Sequence, residues 1–193
     1  PSGAPAPVAI TMEGGRRTKR PWLLLLWMAL SSVGCATQIS RQELAGEYFN
    51  LGNAYFGLEN YQKAAEYYAR AADLDPELRA ASLNLARAYI SENRFDDALA
   101  IIDELMEVDP GNVRLIQTTA YALYRAGRLD EALAAYRRAL TQDPFNPDVL
   151  YNVAVILRSQ GQAEEALSRV RVALEVDDTD AETHLLAGRL SFE

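Results

Sequence analysis

Apolar and polar positions alternate along most of the chain with a helical period of 3.6 residues. Between Ala45 and Leu78, Tyr48, Leu51, Gly52 and Tyr55 fall at i, i+3, i+4 and i+7. After a polar break at Glu59-Asn60, the series Tyr61, Ala64, Ala65, Tyr68, Ala71 and Ala72 continues the stripe. Asp75-Pro76 then closes the second stripe, because proline cannot continue a helix. The pattern predicts two helices folded against each other as a hairpin. One such hairpin leaves apolar positions that only a neighbour can cover.

The neighbours come from repetition. The same arrangement recurs 34 residues on, over 79–112, 113–146 and 147–180, and a fifth copy begins at Ala181 and stops at Glu193 after one helix. A period of this length points to stacked helix-turn-helix units. Small residues recur where two helices would cross closely: Gly52, Ala86, Ala120, Ala154 and Gly188 in the first helices, Ala64, Ala98, Ala132 and Ala166 in the second. Large groups fill the places between, as in Leu51/Leu85/Val153 and Tyr68/Ile102/Tyr136/Val170. Gly127 and Gly161, with Asn93 at the matching place, suit a left-handed helix end. The acid pairs Asp96-Asp97, Asp130-Glu131 and Glu164-Glu165 suit the first turn of a helix, where the dipole favours them. The last copy has no partner helix, so the array is expected to fray there or to continue.

Tyr48-Phe49-Asn50-Leu51-Gly52-Asn53-Ala54-Tyr55, followed by Ala64, Tyr68, Ala71 and Pro76, resembles the tetratricopeptide repeat family almost position for position, and the resemblance extends over 45–193. Leu105 in place of a small residue, Thr119 in place of leucine and Asp178 in place of proline depart from it. The resemblance implies an all-α fold, a right-handed superhelical solenoid of antiparallel helix pairs. It also implies a protein-binding groove lined by the first helix of each pair.

The first 44 residues break the pattern. Residues 1–11 are small and proline-rich and are expected to be disordered or to precede the true start at Met12. A basic cluster (Arg16, Arg17, Lys19, Arg20) precedes an uncharged run, Trp22 to Val33, of 12 residues. This is the layout of a secretory leader, and the run falls short of the roughly 20 residues a bilayer span needs. Ser31-Ser32-Val33-Gly34-Cys35 resembles a relaxed bacterial lipobox, which implies a lipid on Cys35 at the mature N-terminus and a membrane attachment. Ala36, where inner-membrane lipoproteins often carry aspartate, then favours the outer membrane, with the repeats facing the periplasm. The alternatives are a plain secretory leader with Cys35 incidental and, less in keeping with the length, a membrane-spanning helix. Residues 35–44 are read as lipid-attachment site and linker.

Charge narrows the partner class. Residues 1–34 carry +3 of the chain's −8, so residues 35–193 sum to −11, which disfavours binding to nucleic-acid phosphates. One cysteine and one histidine cannot build a disulfide framework or the usual structural zinc site. The histidine, His184, stands in a packing column and is expected to be partly buried and structural. No nucleophile motif, phosphate loop or dinucleotide fingerprint is present, so neither catalysis nor a cofactor is expected.

Transferring the family's groove positions selects Phe49, Asn53 and Phe56 in the first unit, and Arg87 and Ile90, with Leu83, in the second. The third unit contributes Arg114, Gln117, Tyr121, Tyr124 and Arg125. The fourth contributes Tyr151 and Arg158 beside Asp148 and Val155, and the last helix Arg189 beside Glu182 and Leu185. Five arginines against two acids predict a basic, aromatic-lined groove on an acidic body. An extended peptide or helix with an acidic segment or free C-terminus suits that lining; otherwise these arginines balance acids nearby. Asn53, Asn84 and Arg114 occupy three places of the carboxylate clamp known in some family members, but Phe49 and Thr118 replace its other basic residues. The resulting expectation is a lipid-anchored interaction scaffold of pilus, cell-wall or similar envelope systems. The runner-up is an accessory lipoprotein of a solute-transport system, binding a periplasmic binding protein or a small acidic ligand.

Overall fold

The computed structural model describes residues 40–192; the expected leader and lipidation site at Cys35 lie outside the described residues. Nine α-helices follow one another, with no strand among the described residues: α1 (Arg41–Gly57), α2 (Tyr61–Leu74), α3 (Arg79–Ser91), α4 (Phe95–Val108), α5 (Val113–Arg125), α6 (Leu129–Leu140), α7 (Pro147–Ser159), α8 (Ala163–Val176) and α9 (Ala181–Leu190). Each packs on the next in the chain. In addition α3 touches α5 and α7 touches α9, so first helices run side by side through the stack. No described helix is long and apolar enough to cross a membrane.

Local chemistry sets each boundary. Within the four pairs, Glu59 (φ 57°), Asn93 (φ 61°), Gly127 (φ 77°) and Gly161 (φ 77°) take the left-handed conformation. The residue after each donates its amide to a carbonyl five positions back: Asn60 to Tyr55, Arg94 to Tyr89, Arg128 to Leu123 and Gln162 to Leu157, at 2.8–2.9 Å. This closure satisfies carbonyls that a helix end leaves open and turns the chain back on itself. Asn60, Asn112, Asn146 and Asp180 cap α2, α5, α7 and α9 through their side chains, and Pro147 opens α7 where its missing N–H costs nothing. Helices α4, α6 and α8 lack a side-chain cap and carry their acid pairs in the first turn instead.

The core follows the small-residue columns. Ala64, Ala98, Ala132 and Ala166 are fully buried, as are Ala86, Ala120 and Ala154. A Cβ built on Gly52 would lie 2.5 Å from the Tyr68 ring, so α1 and α2 meet at a distance only glycine permits. Leu105, standing where its counterparts are alanines, remains partly exposed and lines a cleft of about 560 Å³ with Leu83, Val113 and Leu115.

Four expectations change. Helix α1 begins at Arg41, inside the expected linker, because Ser40 and Glu43 form a reciprocal capping box: Glu43 N donates to Ser40 Oγ (3.0 Å) and Ser40 N to Glu43 Oε2 (2.7 Å). Leu51 is 42% exposed, whereas Leu85 and Val153 in its column are buried against the preceding unit. His184 is exposed, its Nε2 2.8 Å from the Asp178 carbonyl, while Thr183 and Leu186 take the buried places on α9. Gly188 meets no neighbour within 4 Å, since no described helix crosses α9 there.

Candidate partner-binding groove

The side-by-side first helices bring most of the selected side chains into two cavities. The central one, about 510 Å³, gathers Phe56 from α1, Arg87 and Ile90 from α3, Arg114, Gln117, Thr118 and Tyr121 from α5, and Asp148 and Asn152 from α7. Tyr136 of α6 closes its floor. The second, about 640 Å³, lies between α7 and α9 and is lined by Tyr151, Val155, Arg158, Glu182, Leu185 and Arg189. Both are of the size that holds a segment of several residues or a small ligand. Leu185, 57% exposed, offers that cavity an apolar wall.

Phe49, Asn53, Tyr124 and Arg125 line neither cavity. Phe49 packs on Tyr68, ring centroids 5.8 Å apart, and Tyr124 packs against the main core. Asn53 Oδ1 accepts from Tyr68 Oη (2.8 Å) and from Asn84 Nδ2 (3.1 Å), so the two asparagines at clamp positions are engaged with each other and with the core tyrosine. Ile90 reaches the central cavity but is buried and belongs to the core between the second and third units.

The arginines differ in their partners. Outside the cavities, Arg70 pairs with Glu66 (2.5 Å), Arg94 with Asp97 (2.7 Å), Arg128 with Glu131 (2.6 Å) and Arg169 with Glu165 (3.3 Å). Arg87, Arg114 and Arg125 have no ion pair among the described residues. The Arg87 guanidinium lies 5.5 Å from the Phe56 ring centroid and donates to Asn84 Oδ1 at 3.4 Å. Arg125 donates to Tyr121 Oη (3.0 Å) and Asn93 Oδ1 (3.1 Å), bridging neighbouring units. The Arg114 guanidinium has no partner among the described residues. Guanidinium groups held near aromatic rings and amides retain their capacity for bidentate carboxylate binding.

Burial is the main cause that raises the pKa of three tyrosines, Tyr68 in the core and Tyr136 and Tyr151 in the cavities. At Tyr68 it is opposed by nearby Arg87; at Tyr151 Glu182 and Asp180 reinforce it, while Arg189 opposes it. Tyr136 is pushed furthest, with Tyr121 and Tyr124 adding to the effect, so its phenol stays protonated and a donor throughout the physiological range. By its sequence column Tyr136 reads as packing alone. The signal that separates it from Tyr68 is the facing column, Asn53/Arg87/Tyr121/Val155, where asparagine stands opposite one tyrosine and tyrosine opposite the other.

Among solved structures, the fold is similar to that of PilF from Pseudomonas aeruginosa (TM-score 0.68, 22% identity, covering 79% of this chain and 69% of that one). It is also similar to MamA from Desulfovibrio magneticus RS-1 (TM-score 0.62, 16% identity, 71% and 77%) and to YrrB, a TPR protein with an unusual peptide-binding site (TM-score 0.55, 20% identity, 74% and 74%). A search of the curated proteins finds no match. The family model for the tetratricopeptide repeat matches residues 55–120 and 123–190, in agreement with the helix pairs and their columns of small residues. The chain belongs to the tetratricopeptide repeat family, whose repeats build protein-interaction scaffolds.

Proposed function

We propose that this chain is a lipid-anchored scaffold of a bacterial envelope, attached through Cys35 to the outer membrane, facing the periplasm and recruiting partner proteins by binding rather than by catalysis. The partner inserts an extended or helical segment with acidic side chains into the central cavity. One observation carries this reading: in a module of net charge −11, Arg87 and Arg114 line one cavity and neither is paired with a carboxylate among the described residues, whereas Arg70, Arg94, Arg128 and Arg169 elsewhere are. Aromatic neighbours such as Phe56 and Tyr121 supply the apolar contact that interface anchors need.

Charge reversal tests the groove. Arg87→Glu with Arg114→Glu is expected to abolish recovery of the partners that wild type captures from envelope extract, while the far-ultraviolet spectrum and melting temperature stay unchanged. Undiminished capture by the double variant contradicts the proposal. The anchor is tested separately: Cys35→Ser is expected to move the protein from the membrane fraction to the soluble fraction, and unchanged membrane retention sinks the lipidation reading.

A further inference from the structure

The central cavity contains a hydrogen-bonding group that the fold does not use. Tyr136 is 1% exposed, and its Oη has no hydrogen-bond partner among the described residues. Buried hydroxyls are almost always partnered, and a bare one costs the fold its desolvation. The molecule contains its own control two periods earlier. Tyr68 is equally buried at the equivalent position, and its Oη donates to Asn53 Oδ1, which Asn84 also supports. At the later position Tyr121 replaces Asn53, and Asn152, the counterpart of Asn84, donates its amide to the Asp148 carbonyl of its own helix (2.8 Å). Tyr136 thus has no counterpart of that acceptor, in a cavity that Arg87 and Arg114 also line.

We propose that Tyr136 Oη is the donor of a carboxylate subsite in the floor of the central cavity, completed when a partner's carboxylate also engages Arg87 and Arg114. The inference rests on the groove reading above and names the chemistry the groove selects. A carboxylate is acceptor-only and can take the hydroxyl proton while its other lone pairs meet the guanidinium groups; a cation is repelled by both arginines. Tyr121, 40% exposed, and Asn152 line the same cavity as Tyr136.

The test uses the full chain in detergent and three fluorescein-labelled dodecapeptides, followed by anisotropy. The first alternates glutamate and serine and is amidated, the second is its glutamine counterpart, and the third is the glutamine peptide with a free C-terminus. The expected result is binding of the first or the third and not the second; which of the two binds tells a side-chain carboxylate from a chain end. Tyr136→Phe, of equal volume, is expected to weaken that binding about tenfold or more, the usual loss for a hydrogen bond to a charged group, with a melting temperature equal to or above wild type. Tyr121→Asn, which restores the acceptor Tyr68 enjoys, is expected to raise the melting temperature and also weaken binding. Equal affinity in wild type and Tyr136→Phe overturns the subsite, and if Arg114→Gln still loses binding, the groove reading survives it. Failure of both acidic probes, or equal binding of the neutral one, overturns the carboxylate chemistry, whereas failure of the groove itself would appear as undiminished partner capture by the charge-reversed variant.

Discussion

Gly52 and Tyr68 make one fitting, since the ring occupies the space a Cβ would need. Gly52→Ala is expected to destabilise the protein by about 1–3 kcal/mol, the usual cost of overpacking, measured as a shift in urea midpoint. Glu59 illustrates the opposite case. It holds φ 57° where later units use Asn93, Gly127 and Gly161, and a side chain pays a steric penalty there. Glu59→Gly is expected to stabilise by roughly 0.5–1 kcal/mol, an outcome checked by the same titration; a loss of stability would mean the glutamate makes a contact that outweighs its backbone cost. The requirement for a left-handed residue at Gly127 and Gly161 was legible in the sequence because glycine advertises it. At Glu59 only the 34-residue register pointed to it. Tyr136 was not legible as a site, because its isolation depends on what faces it across the groove.

At the scale of the helix, capping chemistry decides where order begins. Ser40-Arg41-Gln42-Glu43 is a capping-box sequence, and it starts α1 four residues ahead of the repeat register counted from Ala45. The register describes packing between helices and says nothing of a helix that extends beyond it, which is why the boundary was misplaced. Hydrogen bonds from Ser40 hold the Glu43 carboxyl below the usual range, and those from Thr183 do the same for Asp180 at α9. A lowered folded-state pKa means these caps stabilise fully above the ordinary carboxylate pKa and lose their effect as pH falls through the lowered values. Melting temperature is therefore expected to fall between neutral pH and about pH 3, with Ser40→Ala showing a somewhat shallower dependence because it removes the hydroxyl's share of the effect on Glu43, while the residue 40 amide still donates to that carboxyl. At pH 7 that variant should cost about 0.5–2 kcal/mol. His184 and Gly188 depart from their columns for a reason of the same scale: a column's burial depends on the helix that crosses it, and no described helix crosses α9 on that side.

Across the molecule, repetition made the architecture readable while charge placement made the function arguable. The columns of small residues predicted every helix pair, and the described helices α3 to α9 begin close to the boundaries the period implies. The groove was only half legible. Transferred positions located Phe56, Arg87, Arg114, Gln117 and Tyr121 in one cavity and Tyr151, Arg158 and Arg189 in another, but could not tell that Asn53 is consumed by Tyr68 or that Arg125 bridges units. Nor could composition tell balanced arginines from unbalanced ones; that distinction needs distances. The central claim is that partners enter the concave groove between the first helices. A photo-crosslinking amino acid placed at Gln117 in the central cavity, and in a second variant at exposed Glu104 on α4, tests it in intact cells. The account predicts a discrete crosslinked partner from position 117 that disappears with Arg87→Glu/Arg114→Glu, and none from position 104. Crosslinks from position 104 alone would contradict it.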